Sequence, residues 1–351
     1  MVPEHHEKPD DIEITDARVA TALSIAGSDP GGGAGAQADL ATFLRLGVHG
    51  ATAITAITVQ DTQRVESFDL VRSETLARQI EITLEDCRVA AIKIGMLGSV
   101  DNVCRVAAIL DNHRDIPVVL DPVMVAGGGG TLATQAVVDA TRAELLPRAS
   151  IITPNWAEAL RLTAPRHDAD LSHLATRLNT PRIGDGHSMQ DQIAAEIAIL
   201  ADAVAETLNG FGCEAVLITG GDPPISAPPN DPPPAGNVYD SNDTNDTYDN
   251  PAPPVCNHWY RRGQPPQRFE LPRHRGVFHG SGCTLAAAIA AHLALGHTQH
   301  QAVLGAQDFM IEAISRAYRS GHGQWIPERR HPVTRAIVPA TTEPRRSDSN
   351  H

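Results

Sequence analysis

The chain has 351 residues, 42% hydrophobic and only 4% aromatic, with a formal net charge of −14. That length supports one large core or two modest ones, filled chiefly by Ala, Val, Ile and Leu. The acidic balance excludes a general nucleic-acid or anionic-membrane surface, but not a local anion site built from backbone amides. Residues 1–20 read as a polar tail without the apolar core of a signal peptide. No segment offers about 18 uninterrupted apolar residues for a membrane span, so a cytoplasmic protein is expected. Next, ALSIAG (22–27) predicts a strand, AGAQADLATFLRLG (34–47) a helix and ATAITAITV (51–59) a second strand. AAIKIGM (90–96), IPVVLDP (116–122), SIITPN (150–155) and EAVLITGG (214–221) are further strands, each beside a helical stretch. This alternation implies βαβ units and an α/β fold with a mostly parallel sheet covered on both faces.

Two stretches break the rhythm. Residues 164–190, with TAPRHDAD and NTPRIGDGHS, predict a helical excursion with loops. Residues 223–254 are rich in Pro, Asn and Asp with little apolar periodicity, and are expected to form a mobile surface insertion. The N-D-T triplets at Asn242 and Asn245 match a glycosylation pattern but lack a secretory context, so chance composition is the reading adopted. A second tail is expected over 339–351, leaving one domain over 21–338. The five cysteines (Cys87, Cys104, Cys213, Cys256, Cys283) form no close pair, which points to a reduced compartment without a disulfide framework or zinc site.

In parallel sheets ligands gather beyond the carboxyl ends of the strands, which makes the residues that follow each strand the first candidates. GSDPGGGAGAQADL (27–40) is a glycine-rich strand-to-helix turn that places Asp29 at the strand end. It matches neither G-x-G-x-x-G nor the Walker loop, and a plain tight turn remains open. Gln60 in ITVQDT has a donor and an acceptor for a flat heterocycle, or is a solvent-facing loop residue. Met96 in KIGMLG suits stacking on a ring, or fills core. Asp121 in VVLDPVM suits Mg²⁺ held largely through water, or caps the next turn. Asn155 and Glu158 in TPNWAEAL share a face at a helix start, where they organise hydrated Mg²⁺ or cap the helix.

HGSGCTLAAAIAAHL (279–293) predicts a buried amphipathic helix whose first turn carries Gly280, Ser281, Gly282 and Cys283. Glycines before a helix N-terminus let unpaired N–H groups curl around an anion. The same field is expected to lower the Cys283 thiol pKa, so that sulfur takes a proton from a substrate hydroxyl while the amides hold phosphoryl charge. An inert buried cysteine is the bland alternative.

In chain order, AGSDPGGGAGAQADL, ITAITVQDT, KIGMLGS, VLDPVM, ITPNWAEAL, VLITGG and HGSGCTL resemble the motif set of the hydroxymethylpyrimidine/phosphomethylpyrimidine kinases of thiamine biosynthesis, ribokinase-like enzymes, over roughly residues 20–330. The resemblance implies a three-layer α/β/α sandwich, usually dimeric, that phosphorylates a pyrimidine alcohol and then its monophosphate with ATP and Mg²⁺. Asp29, Ala34, Gln60, Met96 and Val123 would then line the pyrimidine pocket. Asp121 and Glu158 would hold the metal, and Asn155, Glu158 and Thr219 would adjoin the nucleotide. Gly280, Ser281, Gly282 and Cys283 would form the anion hole, with Cys283 where relatives with sugar substrates place a catalytic aspartate.

Three departures stand out. Thr219 replaces the lysine of VLxKGG, which asks Arg273, Arg275 or the metal to compensate. Gly321-His322-Gly323 stands where relatives carry G-K-G, and the proline-rich insertion follows Gly221. Pyridoxal kinase, or a silent pyrimidine-binding protein of the same fold, are the rival expectations.

Overall fold

The computed structural model describes residues 19–125, 132–164, 189–220 and 254–330. Nearly all of the stretches read as tails, of the insertion 223–254 and of 164–190 lies outside the described residues. One nine-stranded sheet runs through the described chain in the order β3-β2-β1-β4-β5-β6-β7-β8-β9. Its strands are β1 (Thr21–Ser28), β2 (His49–Gln60), β3 (Val65–Leu70), β4 (Val89–Ile94), β5 (Val118–Leu120), β6 (Ile151–Ile152), β7 (Ala215–Ile218), β8 (Val255–Arg261) and β9 (Gln267–Leu271). The helices are α1 (Gly35–Arg45), α2 (Ser73–Asp86), α3 (Val100–Leu110), α4 (Gln135–Ala140), α5 (Trp156–Thr163), α6 (Met189–Gly210), α7 (Ser281–Ala294) and α8 (Gln299–Ser315). β1, β2 and β4–β7 pair in parallel, as the alternating pattern predicts. β3 and the β8–β9 hairpin are antiparallel edges that the pattern did not reveal, because their apolar alternation is weak.

Both faces of the sheet are covered. Leu23, Ile25, Ile92, Ile94, Leu120, Ile152, Val216 and Ile218 point into one core with α2–α6, while Ala22, Ala91, Val119, Ile151, Ala215 and Leu217 point into a second with α1, α7 and α8. The period of two sends neighbours to opposite layers, which makes each central strand read as an unbroken apolar run. Alanine on the second face has a partner in the alanines of α7. Small side chains on both surfaces bring helix and sheet close together, so α7 can reach the strand ends with its first turn. This helix is buried on all sides from Thr284 to Ala291, which corrects the amphipathic expectation: a helix sandwiched between sheet and α8 has no wet face. Among the described residues no helix is long and apolar enough to cross a membrane.

Candidate active site

Parallel pairing brings the carboxyl ends of β1, β2, β4, β5, β6 and β7 to one edge, where a cavity of about 310 Å³ opens against the N-terminus of α7. All the site residues named from sequence line it: Asp29, Ala34, Gln60, Met96, Asp121, Val123, Asn155, Glu158, Thr219 and Gly280 through Cys283. The strand order therefore unites residues more than 200 positions apart in the chain.

The glycine-rich turn is held by its own aspartate. Asp29 is buried, with Oδ1 accepting from Gly31 N–H at 2.8 Å and Oδ2 from Ala34 N–H at 2.8 Å. His279 Nε2 lies 2.9 Å from the same Oδ2. Burial alone would raise this carboxyl, but the His279 hydrogen bond and the two N–H groups outweigh it and hold it below the usual range. Asp29 is thus an anion that shapes the loop, and its oxygens are already engaged. Gln60 is half-buried and donates through Nε2 to Thr58 Oγ1 at 2.8 Å, which fixes the amide orientation at the cavity wall. Met96 is buried, packs with Ala56 and Leu132, and has its backbone carbonyl tied to Thr55 Oγ1 at 2.6 Å. The core-filling reading of this methionine holds, and the residue also lines the cavity.

Asn155 and Glu158 form a reciprocal capping box on α5: Glu158 N–H donates to Asn155 Oδ1 and Asn155 N–H to Glu158 Oε2, each at 3.0 Å. The capping alternative is realised, and it also fixes both side chains at the cavity. Burial first, and the charge of Asp121 second, push the Glu158 carboxyl up to about 8. Asp121 is buried, and its Oδ2 faces Lys93 Nζ at 3.5 Å while accepting no hydrogen bond. Two carboxyl groups that would repel each other if both ionised, one with an orphaned oxygen, fit a hard cation that keeps several waters and phosphate oxygens. Among the described residues no cluster of three His, Cys, Asp or Glu side chains forms a closed metal cage, so such an ion would need its remaining ligands from water or substrate.

Cys283 is partly accessible at the cavity floor, in the first turn of α7. Sequence reasoning expected the helix field to lower its pKa. Instead burial pushes the thiol up to about 12, opposed by Lys93 and by a hydrogen bond from Gly35 N–H, and reinforced by Asp121 and Asp39. A helix N-terminus acts over a short range, and here two carboxylates and desolvation outweigh it. The sulfur rests as a thiol.

Lys93 is the group that sequence reading missed, because it sits inside a strand and looks like a solvent-facing break in KIGM. It is fully buried, with Nζ 3.0 Å from Asp39 Oδ2 and 3.5 Å from Asp121 Oδ2. Burial would depress its pKa, but the neighbouring charges of Asp39 and Asp121 and the Asp39 hydrogen bond outweigh burial and hold it as ammonium. Asp39 in turn accepts from Ser24 Oγ at 2.6 Å. One signal was available: a polar triplet, Ser24, Asp39 and Lys93, at positions whose apolar periodicity predicts burial.

Neither Arg273 nor Arg275 lines the cavity. Thr219 lies at the end of β7, its N–H donating to Pro154 O at 2.9 Å. Gly321-His322-Gly323 packs on the turn after β2, with Gly323 N–H donating to Thr62 Oγ1 at 2.9 Å, and does not line the cavity.

A doubly covered parallel sheet with an amide-rich helix start facing paired carboxylates defines a ribokinase-like small-molecule kinase. The phosphomethylpyrimidine kinase family model matches residues 29–186 and 171–327, and the chain belongs to that family. It is 35% identical over 286 residues to the hydroxymethylpyrimidine/phosphomethylpyrimidine kinase of Salmonella typhimurium, covering 80% of this chain and 87% of that one. The Rhizobium meliloti enzyme of the same name is 37% identical over 307 residues, covering 87% and 94%. Among solved structures, Bacillus subtilis pyridoxal kinase in complex with ADP superposes with a TM-score of 0.66 at 26% identity, covering 89% of this chain and 97% of that one. Phosphomethylpyrimidine kinase from Clostridium difficile gives 0.58 at 27%, covering 84% and 100%.

Proposed function

We propose that the chain transfers the γ-phosphoryl group of ATP to the hydroxymethyl oxygen of 4-amino-5-hydroxymethyl-2-methylpyrimidine, and then phosphorylates that monophosphate to the diphosphate used in thiamine biosynthesis. One observation carries the reading. The N-terminus of α7, led by Gly280 in the left-handed region at φ 73°, shares one cavity with the pyrimidine-side residues Gln60 and Met96.

The roles follow from chemistry. Gln60 and Met96 hold the flat ring, one by hydrogen bonds and one by apolar contact. The Ser281, Gly282 and Cys283 amides gather negative charge on the transferring group. Asp121 and Glu158 would hold Mg²⁺, which would supply positive charge against the phosphates. Phosphoryl transfer depends mainly on positioning and charge stabilisation, so the alcohol needs little prior ionisation. Because Cys283 rests as a thiol, its small ionised fraction takes that proton, and the Lys93 ammonium favours this fraction. We extend to this chain the homodimer that the family resemblance implies; sedimentation equilibrium yielding only monomer would remove that extension.

Steady-state assays with ATP, Mg²⁺ and either pyrimidine test the activity, and no turnover of either would sink it. Pyridoxal kinase is the second reading, favoured by the larger TM-score to that enzyme. Specificity constants for pyridoxal and for the pyrimidine alcohol, measured side by side, decide between them.

A further inference from the structure

Arg329 follows the last residue matched by the family model by two positions, and no motif drew attention to it. It is only 6% exposed. Its guanidinium donates from Nε to Thr284 Oγ1 at 2.8 Å, from Nη1 to Gly32 O at 3.3 Å, and from Nη2 to Gly33 O at 2.7 Å and Gly280 O at 3.5 Å. Thr284 closes the network by donating through Oγ1 to Gly280 O at 2.7 Å. These acceptors belong to two segments far apart in sequence, the glycine-rich turn after β1 and the start of α7. The segments touch: a Cβ on Gly280 would stand 1.9 Å from Gly33 O.

The consequence is directional. In a trans peptide the carbonyl and the next N–H point opposite ways. Holding Gly280 C=O toward the guanidinium therefore turns Ser281 N–H away from it, and holding Gly33 C=O does the same for Ala34 N–H, which meets Asp29. A full charge behind the carbonyls also polarises those peptides and strengthens their N–H groups as donors. A planar fork with several donors suits the task, and an ammonium cannot reproduce it.

We propose that Arg329 is a positioning residue for phosphoryl transfer: its guanidinium locks the turn that shapes the alcohol side against the amides that receive the phosphoryl group. The proposal rests on the reading of this site as a kinase site. Its effect is alignment of two bound substrates, so it acts on turnover more than on affinity.

The test compares full-length wild type with Arg329→Met, Arg329→Ala and Arg329→Lys. Turnover is measured with the pyrimidine alcohol and ATP, and amide hydrogen exchange is followed by mass spectrometry in the ligand-free chain. Arg329→Met is expected to lower kcat about 100-fold with both KM values within about threefold, and to speed exchange in 31–35 and 280–284 together. Millimolar guanidinium is expected to restore part of the turnover of Arg329→Ala, and Arg329→Lys to recover less than wild type. Unchanged kcat, or a KM increase at constant kcat, overturns the proposal, as does exchange that rises in one segment alone. Should Arg329→Met and Arg329→Ala fail to fold, Arg329→Lys decides by the same kcat and exchange criteria. If wild type turns over neither pyrimidine, the kinase reading falls, and unchanged exchange in the variants then overturns the lock itself, whereas paired loosening upholds it.

Discussion

At Cys283 the start of α7 and the Lys93 ammonium draw the thiol toward ionisation, while burial, Asp121 and Asp39 draw it back and prevail. With the thiol held near 12, the thiolate fraction grows tenfold for each unit of pH through the neutral range. Alkylation of Cys283 in the ligand-free protein is therefore expected to accelerate with a slope near one on a log scale past pH 9, and a plateau below pH 8 would contradict this. The same titration predicts that log kcat rises with pH across neutrality; a flat profile would leave the sulfur a spacer. Cys283→Ala is expected to lower kcat by about 10²–10⁴-fold, the usual worth of a proton-transfer group, with pyrimidine Kd altered by less than about threefold in calorimetry.

The first turn of α7 and the turn after β1 work as one element. Gly280 has φ 73°, and any Cβ there would collide with the Gly33 carbonyl. Gly280→Ala adds about 1–2 kcal/mol of left-handed backbone cost to that collision, so the cradle must open. Turnover is expected to fall at least about 100-fold, with secondary structure by circular dichroism unchanged. Asp29 stabilises the other half. Because its folded pKa lies below the ordinary 3.8, the unfolded chain binds more protons between those values, and this contribution is present above about pH 4 and lost as pH falls through the folded value. Asp29→Asn leaves one of two N–H groups without its acceptor. It should lower Tm at pH 7, with the gap to wild type narrowing in acid, which thermal melts across pH would reveal. These glycines were legible in sequence as a ligand-facing turn. Their mutual contact was not, because nothing local ties residue 33 to residue 280.

Across the whole molecule, Lys93 joins the layers: it sits on β4, pairs with Asp39 on α1 and adjoins Asp121 after β5. Removing it strands two buried carboxylates, and breaking such a pair commonly costs about 3–5 kcal/mol. Lys93→Met is expected to lower stability by that amount in urea melts, and adding Asp39→Asn is expected to recover part of it. Additive losses would show that the two groups are not coupled. The residues after α8 complete the molecule by packing Gly323 on the turn after β2 and Arg329 behind the cradle. A short C-terminal stretch thus braces both sides of the cavity.

By itself the sequence determined the alternation of strands and helices, the parallel centre of the sheet and the polar residues at the strand ends, because periodicity and glycine placement act over a few residues. It also singled out the start of α7, which the fold then placed at the cavity. Only the tertiary structure decided the antiparallel edges, the buried Lys93 between two acids, the raised thiol pKa of Cys283 and the carbonyl-gathering role of Arg329. Each depends on burial and on charges brought together from distant segments, and desolvation in a packed interior is a property of the assembled fold that no local pattern encodes.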